Sequence, residues 1–147
     1  MCIRDSFRYA LYPHAGPWKQ ALTVRRGYEF NDPMSATQVF AHAGPAPAEQ
    51  AEQSLGSVEN ANVTLTAVKK AEDSDALVYR MYEWAGTACD VKLHVPAGAL
   101  YAVESNLMEK VEGPRLTMSG GVVTVAIKPY EILTVQVFYS AKAVAAN

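Results

Sequence analysis

Asn62-Val63-Thr64-Leu65-Thr66-Ala67 and Leu77-Val78-Tyr79-Arg80-Met81-Tyr82, with the polar segment Glu72-Asp73-Ser74-Asp75 between them, form the stretch that decides the fold. Val63, Leu65 and Ala67 alternate with Asn62, Thr64 and Thr66, and Leu77, Tyr79 and Met81 alternate with Val78, Arg80 and Tyr82. A period of two puts each set on one face of an extended chain, so both segments read as half-buried antiparallel strands. The polar segment has the length and composition of a hairpin connection.

Working outward, the same reading places strands over residues 91–95, 100–103, 122–127 (after the Gly120-Gly121 turn) and 132–139. Several short strands separated by turn signals favour an antiparallel β-sandwich over residues 54–140. Upstream, residues 41–53 are rich in Ala, Gly, Pro, Glu and Gln, with Pro45 and Pro47 blocking regular pairing, and read as a linker or surface loop. Before that lies a compact pattern over residues 7–40. Phe7, Tyr9 and Leu11 share one face of an expected strand that Pro13 ends. Gly16-Pro17 then turns the chain into an expected helix from Trp18 to about Phe30, with Gly27 weakening it and Asp32-Pro33 closing it. Residues 1–6 read as a non-native leader and residues 141–147 as a tail. The expectation is a mainly β protein.

Half of the 147 residues are apolar, 19% are charged and the formal net charge is −2. This is a globular composition, without the basic, aromatic-interleaved surface of a nucleic-acid binder. No apolar run approaches the roughly 20 residues of a membrane-spanning helix. With Cys2 set aside in the leader, Cys89 is the one remaining thiol, so no internal disulfide is expected and a reducing, cytoplasmic setting is the default.

Three stretches carry a resemblance. Tyr9-Ala10-Leu11-Tyr12-Pro13-His14 followed by Gly16 and Trp18, the paired segments running from Asn62 to Asp73 and from Leu77 to Gly86, and Lys128-Pro129-Tyr130-Glu131-Ile132-Leu133-Thr134 together resemble the C-terminal region of family 38 glycoside hydrolases, the zinc-dependent α-mannosidases. The resemblance implies that residues 7–40 are the tail of a larger central β-sandwich domain and residues 54–140 a small terminal sandwich. It also implies a parent enzyme that hydrolyses terminal α-mannosidic bonds in mannosides or glycans with retention. Zinc and the catalytic carboxylates would sit in an upstream catalytic domain that is this chain's partner, leaving the chain itself structural, inactive and without a cofactor. Two departures stand out: Pro17 occupies a place where an acidic residue often precedes the Trp, and the Ala/Pro segment 43–51 carries no assigned family meaning.

The residues themselves offer little catalysis. Retaining glycosidases need two carboxyl groups about 5–5.5 Å apart. Glu72, Asp73 and Asp75 fall in the expected polar turn, where acids are solvated. Arg80 and Glu83, three apart on one strand, point to opposite faces and are expected to serve structural, cross-strand ion pairs. His14, His42 and His94 lack the short ligand spacing of a structural zinc site, so no metal site is expected. Asn62-Val63-Thr64 fits the glycosylation pattern but opens a strand, which makes it an accidental match. Tyr12, His14 and Trp18 are the substrate-binding candidates, because aromatic faces beside polar groups stack on sugar rings. The plainer reading makes Tyr12 and Trp18 core or interface residues with His14 capping the turn. The alternative function is a stand-alone carbohydrate-binding module, with Tyr12, Trp18 and Trp84 as stacking residues.

Overall fold

The structure is a computed structural model that describes residues 6–38 and 53–140. The expected leader (1–5), most of the linker (41–52) with His42, and the tail (141–147) lie outside the described residues. The chain divides into two units, Met1–Phe40 and Ala41–Asn147.

The second unit is an antiparallel sandwich built from β1 (Ser57–Val58), β2 (Val63–Lys70), β3 (Leu77–Glu83), β4 (Cys89–His94), β5 (Tyr101–Ser105), β6 (Val111–Arg115), β7 (Thr117–Ser119), β8 (Val122–Ile127) and β9 (Ile132–Phe138). One sheet has the order β1-β4-β8-β7 and the other β2-β3-β9-β5-β6. The β2–β3 hairpin forms as the alternation requires, with the Ala71 amide donating to the Ala76 carbonyl at 2.9 Å. Its ladder slips between Leu65 and Ala67, and the hydroxyl of the intervening Thr66 donates to the Arg80 carbonyl at 3.0 Å. A β-bulge of this kind adds one residue on one strand and sharpens the local twist.

The core lies between the sheets. Tyr79, Met81, Val91, Leu93, Ala102, Val123, Val135 and Val137 are all fully buried there, contributed by alternate positions of five strands. Tyr79 spans the layer, and its hydroxyl donates to the Leu55 carbonyl at 2.8 Å. Gly56 lies so close that an added Cβ would sit 2.6 Å from the Tyr79 ring. The outer face of the five-stranded sheet is covered as well. Val78, Val103 and Phe138 cluster there with Ala71 and Ala76, and Thr134 and Gln136 are buried beside them.

Three strands escaped the sequence reading: β1, β6 and β7. They are short, and β6 is exposed at every position and contains Gly113 and Pro114. Proline suits an edge strand, where no neighbour needs its missing N–H. Between β6 and β7 the chain changes sheets at Leu116, whose amide donates to the Ala102 carbonyl at 2.8 Å.

The first unit departs from expectation in two ways. Residues 7–11 form no strand, and Phe7, Tyr9 and Leu11 are 82–91% exposed. Alternation supplies two faces, but a strand also needs a neighbour for its ladder, and no described residue pairs with this segment. The segment is tied down differently: the Arg8 guanidinium lies 5.0 Å from the Phe30 ring centroid, and the Tyr12 hydroxyl donates to the Ala21 carbonyl at 3.2 Å. The helix is also shorter than expected. Residues 18–22 are turns, and α1 spans Thr23–Asn31. Leu22, at φ 53°, breaks the helical path in the left-handed region that costs a non-glycine residue roughly 1–2 kcal/mol. Gly27 stays inside α1, which ends at Asp32 as anticipated.

Candidate functional site

In the first unit, Tyr12 and His14 come together with ring centroids 5.6 Å apart at 41°. Trp18 is fixed through its backbone, its carbonyl accepting the Thr23 hydroxyl at 3.1 Å, and Lys19 Nζ lies 5.5 Å from its ring centroid. Tyr12 and Trp18 are 46% and 45% exposed, so each offers part of its ring to solvent. Nearby, Glu29 pairs with Arg25 and Arg26 at 3.2 and 2.6 Å. Glu29, and then the Tyr12 hydroxyl, hold the Arg26 guanidinium above its ordinary range.

The most elaborate polar constellation lies in the sandwich. Glu83, at the end of β3, is 1% exposed. One carboxylate oxygen accepts the Asn62 amide at 2.9 Å and the Ala85 N–H at 2.8 Å. The other accepts Gly86 N–H at 2.7 Å and Tyr130 N–H at 3.0 Å. Burial raises this carboxyl, but the N–H of Tyr130, the Asn62 side chain and the N–H groups of Ala85 and Gly86 outweigh it and hold the pKa at about 2. The backbone bends to deliver these donors. Gly86 has φ 76° and Tyr130 φ 60°, and a Cβ on Gly86 would meet the Tyr130 hydroxyl at 2.5 Å. Glu83 thus joins the starts of β2 and β9 and the turn after β3, held by N–H donors rather than by the expected ion pair. Arg80 also differs from expectation: its Nε lies 3.4 Å from Thr134 Oγ1, and its Nη2 donates to the Leu107 carbonyl at 3.1 Å.

This node also settles Asn62. Besides Glu83, its amide donates to the Thr87 carbonyl at 3.0 Å and lies 3.6 Å from Cys89 Sγ. A nitrogen so engaged serves as a structural donor. Beside it, an open recess of about 500 Å³ is lined by Cys89, Asp90, Glu104, Ile127, Lys128 and Glu131 among others.

None of this assembles hydrolytic machinery. Glu83 is held ionised at neutral pH and its two carboxylate oxygens are taken up by four N–H donors, so it is not poised as a general acid. The side chains of Glu72, Asp73 and Asp75 are 66–84% exposed and pair with Lys69, Lys110 and Lys70, respectively. Among the described residues no group of three or more His, Cys, Asp or Glu side chains is placed to hold a metal ion. His94 instead sits 2.6 Å from Glu59. Trp84 is 6% exposed, which removes it as a stacking residue, whereas Tyr130 is 67% exposed. No sequence signal marked the Glu83 node, because two of its four donors, at positions 62 and 130, are remote from it in sequence.

The fold defines an antiparallel β-sandwich with a buried, hydrogen-bonded carboxylate at one end. Residues 62–135 match the model of the glycosyl hydrolases family 38 C-terminal beta sandwich domain, and the chain belongs to that family. It is similar to "Alpha-mannosidase 2C1" of Homo sapiens, 31% identical over 135 residues, covering 89% of this chain and 12% of that protein. It also resembles "Alpha-mannosidase 2C1" of Mus musculus, 33% identical over 110 residues (73% and 10%), and "Alpha-mannosidase G" of Dictyostelium discoideum, 27% identical over 134 residues (87% and 12%). The chain spans about a tenth of the length of these relatives. The matched span begins at Asn62 and ends at Val135, so it contains the whole Glu83 node.

Proposed function

We propose that this chain is the C-terminal, non-catalytic portion of an α-mannosidase that hydrolyses terminal α-mannosidic bonds in mannosides or glycans. The observation that carries the reading is the family match across the sandwich, joined to likeness with proteins named α-mannosidases over most of the chain. The chain's own contribution is mechanical. Glu83 fixes the start of β9 and the turn after β3 in one geometry, giving a sandwich rigid enough to support a neighbouring domain. Residues 7–40 belong, in this reading, to the end of a central sandwich. Their exposed Phe7, Tyr9 and Leu11 meet that domain's upstream strands.

In this reading the zinc and the retaining carboxylate pair belong to the upstream catalytic domain. Tyr12, His14 and Trp18 are the residues of this chain proposed to approach substrate. Tyr12 and Trp18 supply half-exposed rings for stacking on a mannosyl ring, and His14 supplies hydrogen bonding. The parent enzyme is assigned to the cytoplasm. No helix among the described residues is long and apolar enough to cross a membrane. A stand-alone carbohydrate-binding module is the weaker reading, because Trp84 lies inside the sandwich.

The test is expression of the contiguous upstream reading frame. Hydrolysis of an aryl α-mannoside by the extended protein, and none by residues 1–147, is the expected result. A natural start and stop bounding these 147 residues, with mannoside binding by the chain alone, would replace the proposal with the binding-module reading.

A further inference from the structure

The β5–β6 connection, residues 106–110, is closed on itself and then strapped to the sheet. The Asn106 side-chain oxygen accepts the Met108 and Lys110 amides at 3.0 and 3.1 Å, and the Asn106 amide donates to the Lys110 carbonyl at 3.0 Å. Arg80 Nη2 holds the Leu107 carbonyl at 3.1 Å and Gln136 Nε2 holds the Glu109 carbonyl at 2.6 Å. The Glu109 carboxylate accepts Lys69 Nζ at 2.8 Å and the Glu72 amide at 2.9 Å. The loop therefore runs over the outer face of the five-stranded sheet, from β5 across β9 and β3 to the end of β2.

The side chains on this fixed backbone are apolar and exposed: Leu107 at 56%, Met108 at 78% and, where β6 begins, Val111 at 44%. Solvent gives no reason to order a loop that presents Leu and Met. The ordering entropy has already been spent, which is the condition under which a small apolar contact contributes most to association. Charged residues lie beside it, where Lys110 pairs with Asp73 at 3.6 Å and Lys69 with Glu72 and Glu109 at the β2–β3 turn. Apolar side chains bordered by charged ones are found together in protein interfaces.

We infer that the 106–110 strap is the docking anchor of this domain, with Leu107 and Met108 seated in an apolar pocket on the upstream part of the same polypeptide. The inference rests on the functional reading above. The occupant follows from length: the matched segment is 12% of the human relative, so in such a protein most of the surface available to this loop is its own chain. A contact within one chain also benefits from an effective concentration that a second copy does not have.

The experiment places benzoylphenylalanine at position 108 of the extended enzyme, irradiates it and maps the crosslinked peptides, alongside melting of L107E/M108E. The expected result is a crosslink within one chain to residues upstream of Phe7. The double substitution should lower the melting temperature of the extended enzyme by about 2 °C while the 1–147 chain melts as before. Crosslinks joining two copies, the absence of any crosslink, or a reading frame with no upstream extension would each overturn the anchor. Should the double variant disturb the 1–147 chain itself, crosslinking alone decides. Assaying α-mannosidase activity on the same preparation separates the two ideas: an internally crosslinked protein without that activity keeps the anchor and loses the function.

Discussion

Phe7, Tyr9 and Leu11 carry the same alternation as Leu77, Tyr79 and Met81, yet the first three are 82–91% exposed while Tyr79 and Met81 are completely buried. The second set sits in a strand with a neighbour on each side, β2 and β9. The first has no ladder partner among the described residues. Alternation specifies which side chains share a face, but burial is decided by what lies across that face and along the strand's edges. The comparison teaches that a strand pattern is half of an instruction, completed by the chain that pairs with it.

The comparison breaks most visibly at Glu83. Glu83→Ala removes a buried acceptor of four N–H groups, and losing partners for several buried donors is expected to destabilise the 1–147 chain by about 4 kcal/mol. Urea unfolding reads this directly, and a change below about 1 kcal/mol would mean the node is dispensable. Next comes the core. Met81→Ala should cost about 3 kcal/mol through lost burial and the cavity left behind. A cost near zero in the same titration would contradict the inter-sheet placement of this side chain.

Acid gives a graded version of the Glu83 test. Its carboxyl is held at about 2 in the folded chain against an ordinary 4.5. Because the folded pKa is depressed, its stabilisation is complete above the ordinary value and is lost as pH falls through about 4.5 toward 2. The urea midpoint should decline across that window, and Glu83→Gln should flatten the decline. An identical slope in the variant would assign the acid sensitivity to other carboxylates. The smallest effect belongs to the first unit. Phe7→Ser and Leu11→Ser should each change the unfolding free energy of the 1–147 chain by less than about 0.5 kcal/mol, as exposed positions do. In the extended enzyme both should cost more than about 1 kcal/mol if upstream strands cover them.

Much of the sandwich was legible because its strands alternate cleanly and its turns carry acids or glycines. The β2–β3 hairpin, β4, β5, β8 and β9 all follow from that rule. The short strands β1, β6 and β7 did not, since two or three residues hold too little periodicity and Gly113 and Pro114 imitate a loop. At the candidate site, sequence reasoning placed Arg80 and Glu83 on opposite faces and in structural roles. It assigned them ion pairs that the structure replaces with N–H donors and a carbonyl. Tyr12 and His14 are adjacent in three dimensions as in sequence, whereas Trp84 looked available for stacking and is enclosed.

The sequence by itself determined the class of fold and the main hairpin, because these depend on composition and on a spacing of two. Only the tertiary structure decided which alternating segments are buried, where the chain changes sheets, how Glu83 gathers the distant donors Asn62 and Tyr130, and that the 106–110 loop is strapped down with its apolar side chains outward. Those outcomes depend on contacts between residues remote in sequence, and local periodicity carries no information about what meets across a layer or over a sheet face.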